Sequence, residues 1–140
     1  MRVGWTVTGR LIVPTMPAKP GLTASVEMTV HEADTAISFR SGSVPVLATP
    51  RVIALCEEAS VLALDGVLSA SETSVGMRVQ IDHVQPTAIG SSVTAEATLE
   101  KVEGRRLTFT VHAHDARGLI AAGRVTRVVV DIERFMEKAN

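Results

Sequence analysis

Three residues in this chain combine a reactive side chain with an uncommon setting: Thr49, Glu57 and His83. Thr49 precedes a proline at the start of an apolar stretch, VPVLATPRVIALCEEASVLAL (44–64), that reads as a helix. Glu57 and Glu58 sit side by side in it. Helical geometry separates them. Arg51, Glu58 and Asp65 recur every seven residues and define one solvated stripe. Glu57 lies about 100° from that stripe, with Ile53, Val61 and Leu64 as its helical neighbours. It is therefore expected on an apolar flank, against protein rather than water. Burial there without a partner would suit a carboxylate to general-base work near neutrality. The plainer alternative is a boundary glutamate that reaches water or pairs with an arginine.

His83 stands out in the same way. On an alternating stretch from Gly76 to Val84 it shares a face with Met77, Val79 and Ile81, while Arg78, Gln80 and Asp82 take the other. It is the one titratable group on an apolar row, either a reactive base or a satisfied core histidine. His31, His112 and His114 have weaker claims. Cys56 lies within the apolar helix and reads as a small core residue. No metal-ligand cluster, phosphate-binding glycine loop, dinucleotide fingerprint or nucleophile elbow is present in the sequence.

The elements that must position these residues are legible in outline. Thr49 is a good N-cap and Pro50 suits the first helical position, so the helix is expected from Pro50 to about Leu64, ending before Asp65-Gly66. Leu22 to Val30 alternates as a half-buried strand, with Ala24, Val26, Met28 and Val30 on one face. After Leu68 the chain turns to strands: 76–84, 93–102, 107–114 and 119–132. EGRR (103–106) and DARG (115–118) read as tight hairpin turns. A short terminal helix is expected over 133–138. One helix for one antiparallel sheet predicts an α+β domain with the sheet wrapped around the helix. The outer sheet face and the edge strands would then need cover, which predicts a dimer at least. Residues 1–21, with Pro14, Pro17 and Pro20, read as an irregular, partly disordered arm holding a short strand at Trp5 to Val13; Met16 is an alternative start of the folded part, and 22–140 is the domain.

Composition bounds the function. A chain of 140 residues is one domain by length, and 46 % hydrophobic residues supply a real core. With no tyrosine, three phenylalanines and one tryptophan, that core must be aliphatic. A net charge of −1 gives no basic surface for nucleic acid or an anionic membrane. No apolar run is long enough to span a bilayer, and the N-terminus lacks a signal-peptide pattern. One cysteine excludes an internal disulfide. A cytoplasmic protein is expected.

Four blocks then carry a resemblance: VPVLATPRVIALCEEA, SVGMRVQIDHVQPTAIGSSV, VEGRRLTFTVHAHDARGLIAAG and RVVVDIERF. In this order and spacing they resemble the hot-dog fold thioesterases, most closely the fluoroacetyl-CoA thioesterase-like group, over roughly residues 22–140. The resemblance implies a hot-dog fold and hydrolysis of an acyl-CoA thioester. It implies a catalytic set of Thr49, Glu57 and His83, the residues that pattern alone had singled out. It also implies that Gly76 offers its backbone N–H to the thioester oxygen and that Arg127 lies near the active site. The site is expected at the interface of a homodimer, alone or as a dimer of dimers. No cofactor or metal is expected, coenzyme A being part of the substrate. Two features depart from the group. Its gating phenylalanines upstream of the threonine are replaced by Arg40-Ser41-Gly42-Ser43-Val44-Pro45, with Phe39 the nearest aromatic, and its HER triplet reads Val125-Thr126-Arg127. The acyl group is thus left open.

Two other functions compete. A hot-dog hydratase would want a buried Asp–His pair, but Asp82 and His83 are adjacent on a strand and point to opposite faces. A non-catalytic acyl-CoA-binding module would keep the pocket without needing Thr49, Glu57 and His83 together. Thr49 has its own modest alternative as a helix cap, and Gly76 as a strand-start or bulge glycine.

Overall fold

Alternation along five segments builds one antiparallel sheet, and a single apolar helix fills its concave side. The computed structural model describes residues 18–140, and the backbone of two short N-terminal strands, β1 (Trp5–Val7) and β2 (Arg10–Ile12), which pair antiparallel. The single strand expected across Trp5 to Val13 is thus two. Pro14, Met16 and Pro17, and with them most of the expected arm, lie outside the described residues.

From β3 (Thr23–Thr29) the chain passes through a 3₁₀ turn (Glu32–Asp34) and a one-turn helix, α1 (Ala36–Phe39), into the central helix α2 (Thr49–Ala63). Four strands follow, β4 (Glu72–His83), β5 (Ser92–Glu103), β6 (Arg106–Asp115) and β7 (Gly118–Asp131), then α3 (Ile132–Ala139). The sheet order is β3-β5-β6-β7-β4, so β3 and β4 are its edges. Both expected hairpin turns are present, joining β5 to β6 and β6 to β7.

The strands bury alternate residues against α2. On β5 these are Val93, Ala95, Ala97 and Leu99; on β6 they are Leu107, Phe109, Val111 and Ala113, all at most 1 % exposed. The alanines on β5 let the helix lie close, and it answers with Val52, Leu55, Cys56 and Ala59, all fully buried. Burial, and next the charge of Glu57, push the Cys56 thiol up to about 11, so it is an inert core thiol.

The outer face differs from expectation. It is polar and paired across strands: Arg124 Nε donates to Glu100 at 3.2 Å, Thr110 Oγ1 donates to the same carboxylate at 3.0 Å, and His112 Nε2 lies 3.3 Å from Glu96. That face suits water, so the sheet's outside gives no reason for a covering partner. Among the described residues no helix is long and apolar enough to cross a membrane.

Candidate active site

Thr49 stands at the first position of α2, not at its cap. The cap residue is Ala48, with Pro50 second in the helix. The segment before it is held rigidly: Leu47 N–H donates to Thr87 O, and Ala48 N–H to Asp34 O, both at 2.9 Å. Asp34 also receives Arg51 Nε at 3.1 Å. Freed from capping, the Thr49 hydroxyl meets His83 Nδ1 at 2.8 Å. The other ring nitrogen, Nε2, is buried without a hydrogen-bond partner among the described residues. Burial lowers the His83 pKa from 6.5, offset in part by the backbone of Gln85, so the neutral imidazole is favoured. Thr49 and His83 line an open groove of about 320 Å³, walled by Val44, Val46, Leu47 and Pro86.

Glu57 belongs to a second cluster. It lies on the expected flank: Leu64 is buried, Ile53 half-buried and Glu58 exposed, while Val61 stays 49 % exposed although apolar. Glu57 is not unpartnered. Arg127 Nη1 donates to its Oε2 at 3.0 Å, so the premise of lone burial fails and the arginine-paired alternative holds. The Arg127 side chain is 8 % exposed, that of Glu57 33 %. Two further bonds hold the guanidinium, both to Ser74: Nε donates to Oγ at 2.8 Å and Nη2 to the backbone oxygen at 2.9 Å. Burial lowers the Arg127 pKa, and the Glu57 charge counters it. Gly76 lies beside the pair, where a Cβ would come 2.6 Å from Glu57 Oε2.

A β-bulge explains how β4 serves both clusters. Gly76 and His83 differ by seven positions, an odd number, so regular alternation would put them on opposite faces. The ladder slips between Gly76, which pairs with Arg127, and Arg78, which pairs with Thr126. Met77 is the extra residue, and it is 43 % exposed instead of joining the row of Val79, Ile81 and His83. The slip brings Ser74, Gly76, Val79, Ile81 and His83 to the helix side. Ser74 was not anticipated from sequence. Its only signal is its place two residues before Gly76 on the same row.

The structure therefore joins Thr49 with His83, and Glu57 with Gly76 and Arg127. No hydrogen bond links the two clusters among the described residues. Gly76 and His83 stand seven positions apart on the strand, roughly 20 Å. Likewise eight helical residues put Thr49 and Glu57 about 12 Å apart along α2. No group of three or more His, Cys, Asp or Glu among the described residues could hold a metal.

One long helix packed against a five-stranded antiparallel sheet is the α+β hot-dog architecture. Residues 30–133 match the family described as fluoroacetyl-CoA-specific thioesterase. The fluoroacetyl-CoA thioesterase of Streptantibioticus cattleyicolor is 39 % identical over 93 residues, 66 % of this chain and 67 % of that protein. A variant of the fluoroacetyl-CoA-specific thioesterase solved with fluoroacetate and CoA superposes with a TM-score of 0.79 at 31 % identity, covering 84 % of this chain and 99 % of the other. A hot-dog-like protein from Thermanaerovibrio acidaminovorans gives a TM-score of 0.79 at 27 % identity, over 86 % of this chain and 89 % of that one. This chain belongs to the fluoroacetyl-CoA-specific thioesterase family, and with it to the thioester hydrolases.

Proposed function

We propose that this protein hydrolyses a small acyl-CoA thioester to the free acid and CoA, using Thr49, Glu57 and His83 in a site completed by a second copy of the chain. The observation that carries the reading is the split into two clusters. Each holds half of what thioester hydrolysis requires, and in one chain they are too far apart to meet one carbonyl. A two-fold dimer joins Glu57 of one copy to the Thr49–His83 pair of the other. Support for that contact comes from β4, a 12-residue edge strand with open pairing capacity. Met77 on that strand, and Val61 and Leu62 on α2, are apolar yet 43–49 % exposed.

The roles follow from the chemistry. Glu57 attacks the thioester carbonyl or takes the proton of an attacking water. Gly76 N–H stabilises the oxyanion. With Thr49 donating to Nδ1, the His83 proton sits on Nε2, where it polarises the carbonyl or is handed to the departing sulfur. The C–S bond breaks, CoA leaves as its thiol, and water supplies the hydroxyl of the acid. Coenzyme A enters as substrate, and neither metal nor cofactor is called for. Such a substrate fits a cytoplasmic protein. The solved relative holds fluoroacetate and CoA, which supports the acyl-CoA class. Among the described residues no Phe or Trp lines the groove beside Thr49 and His83, so acyl groups larger than fluoroacetyl belong among the candidates.

The test is thiol release from a panel of CoA thioesters, from acetyl and fluoroacetyl through medium chain to phenylacetyl, with Glu57→Ala in parallel. Turnover on some member, abolished in Glu57→Ala, is expected. One observation favours a second reading: a carboxylate paired with a buried arginine has a structural job already, as in a non-catalytic acyl-CoA-binding module. Stabilisation by CoA without turnover of any thioester would select that module.

A further inference from the structure

We infer that Ser74 is a positioning residue for the reaction, acting on Glu57 through Arg127; the inference rests on the hydrolase reading above. The geometry is a relay of three side chains. Ser74, 9 % exposed, offers two acceptors from one residue, its hydroxyl and its backbone oxygen. Arg127 meets them with Nε and Nη2 at 2.8 and 2.9 Å. Two parallel bonds fix the plane of a guanidinium, where one would leave it free to swing. The third nitrogen, Nη1, is thereby aimed at Glu57 Oε2, at 3.0 Å.

That bond selects one of the two carboxylate oxygens. Oε2 is held between Arg127 and the β4 backbone at Gly76. Oε1 has no hydrogen-bond partner among the described residues, and the side chain is 33 % exposed. Ser74 thus decides which oxygen is tied and which is left for substrate or water. The serine is suited to this task. Its backbone oxygen alone would hold only Nη2, and an alanine there would let the guanidinium pivot about that bond. A threonine would keep the hydroxyl and is at home on a strand.

The experiment compares wild type, Ser74→Ala, Ser74→Thr and Glu57→Ala by thiol release on the best thioester of the panel. Thermal midpoints are measured beside kcat and KM. The Arg127 side-chain Nε–H exchange rate is followed by NMR. Expected for Ser74→Ala is a fall in kcat of about tenfold or more with KM nearly unchanged. Faster Nε–H exchange should accompany it, with the thermal midpoint lowered by only a few degrees and the protein folded at the assay temperature, and Ser74→Thr should restore turnover. Wild-type kcat in Ser74→Ala would overturn the inference and leave the hydrolase reading intact. A loss that merely follows a lowered thermal midpoint, unrescued by threonine, would equally reduce Ser74 to a structural residue. No thiol release by the wild type itself would overturn the hydrolase reading, and this inference with it.

Discussion

Glu57 Oε2 occupies the space that the Cβ of any other residue at Gly76 would need, 2.6 Å away. Glycine at 76 is thus a condition for the carboxylate's position. Gly123 makes a comparable demand on different atoms, since its Cβ would lie 1.9 Å from the backbone oxygen of Gln80. The two alanine variants should therefore behave differently. A flexible carboxylate can swing aside, so Gly76→Ala should keep its urea midpoint within a few tenths molar and lose most thiol release. A paired strand cannot swing aside, so Gly123→Ala should part β4 from β7 and cost at least about 3 kcal/mol. Equal destabilisation by both would mean that Gly76 serves the ladder and not the carboxylate.

Glu57 and Arg127 differ in burial, and that sets which loss hurts more. Removing Glu57 leaves a guanidinium that is 8 % exposed without its counter-charge, whereas removing Arg127 leaves a carboxylate that can turn to water. Glu57→Gln should therefore cost about 1–2 kcal/mol. That is below the about 3–5 kcal/mol of a fully buried pair, because Glu57 is a third exposed. Chemical denaturation of Glu57→Gln gives the figure. It also establishes whether inactive Glu57 variants are folded when assayed.

The separation of the clusters, about 12 Å along α2 and roughly 20 Å along β4, predicts complementation between dead variants. Glu57→Ala and His83→Ala should each be inactive as homodimers. Mixed and allowed to exchange subunits, they should regain activity, because one of the two sites in a mixed dimer receives intact Glu57 from one copy and intact His83 from the other. A site built within one chain would recover nothing. Light scattering on the same samples reports whether dimers form at all.

His83 predicts a pH dependence of stability. Its folded pKa is lowered from 6.5, first by burial. Below 6.5 the unfolded chain takes up a proton that the folded imidazole resists because it is partly buried. The unfolded state binds more protons there, so stability rises with pH across that window. The contribution is complete above pH 6.5 and is lost as pH falls through the folded value. Thermal midpoints from pH 4.5 to 8 should drop more steeply on the acid side for wild type than for His83→Asn. Parallel curves would mean that His83 titrates as it does when unfolded.

The parts of this fold that showed in the sequence are those with local causes. Ala24, Val26 and Met28 alternate because β3 has one wet face, and the 3.6-residue period separates Glu57 from Glu58 within a single helix. What stayed hidden depends on contacts distant in sequence. Arg127 reaches Glu57 across 70 positions because α2 packs against β7 in the folded chain. Ser74 sits in a stretch of Glu, Thr and Ser that reads as polar turn, so β4 begins four residues earlier than its alternation suggests. The bulge at Met77 leaves no mark in composition, and without it His83 and Gly76 cannot be placed on one face. Thr49 misled by one position: a threonine before a proline looks like a cap, yet Ala48 takes that place and the hydroxyl goes to a neighbour 34 residues on.

The extra residue at Met77 works as a change of phase. A strand carries a two-beat rhythm, and one added beat inverts everything downstream of it. The number of residues between Gly76 and His83 is therefore constrained by parity more than by identity. Losing one residue from that interval while the bulge stays would turn His83 to the polar outer face and leave Thr49 without its imidazole, whereas losing Met77 itself would remove the bulge and keep both residues on one side. Losing two while keeping the bulge would preserve the side but pull the imidazole out of reach of α2. Tolerated length changes in this region must preserve that phase, or fall in the loop after His83, where the rhythm has already stopped.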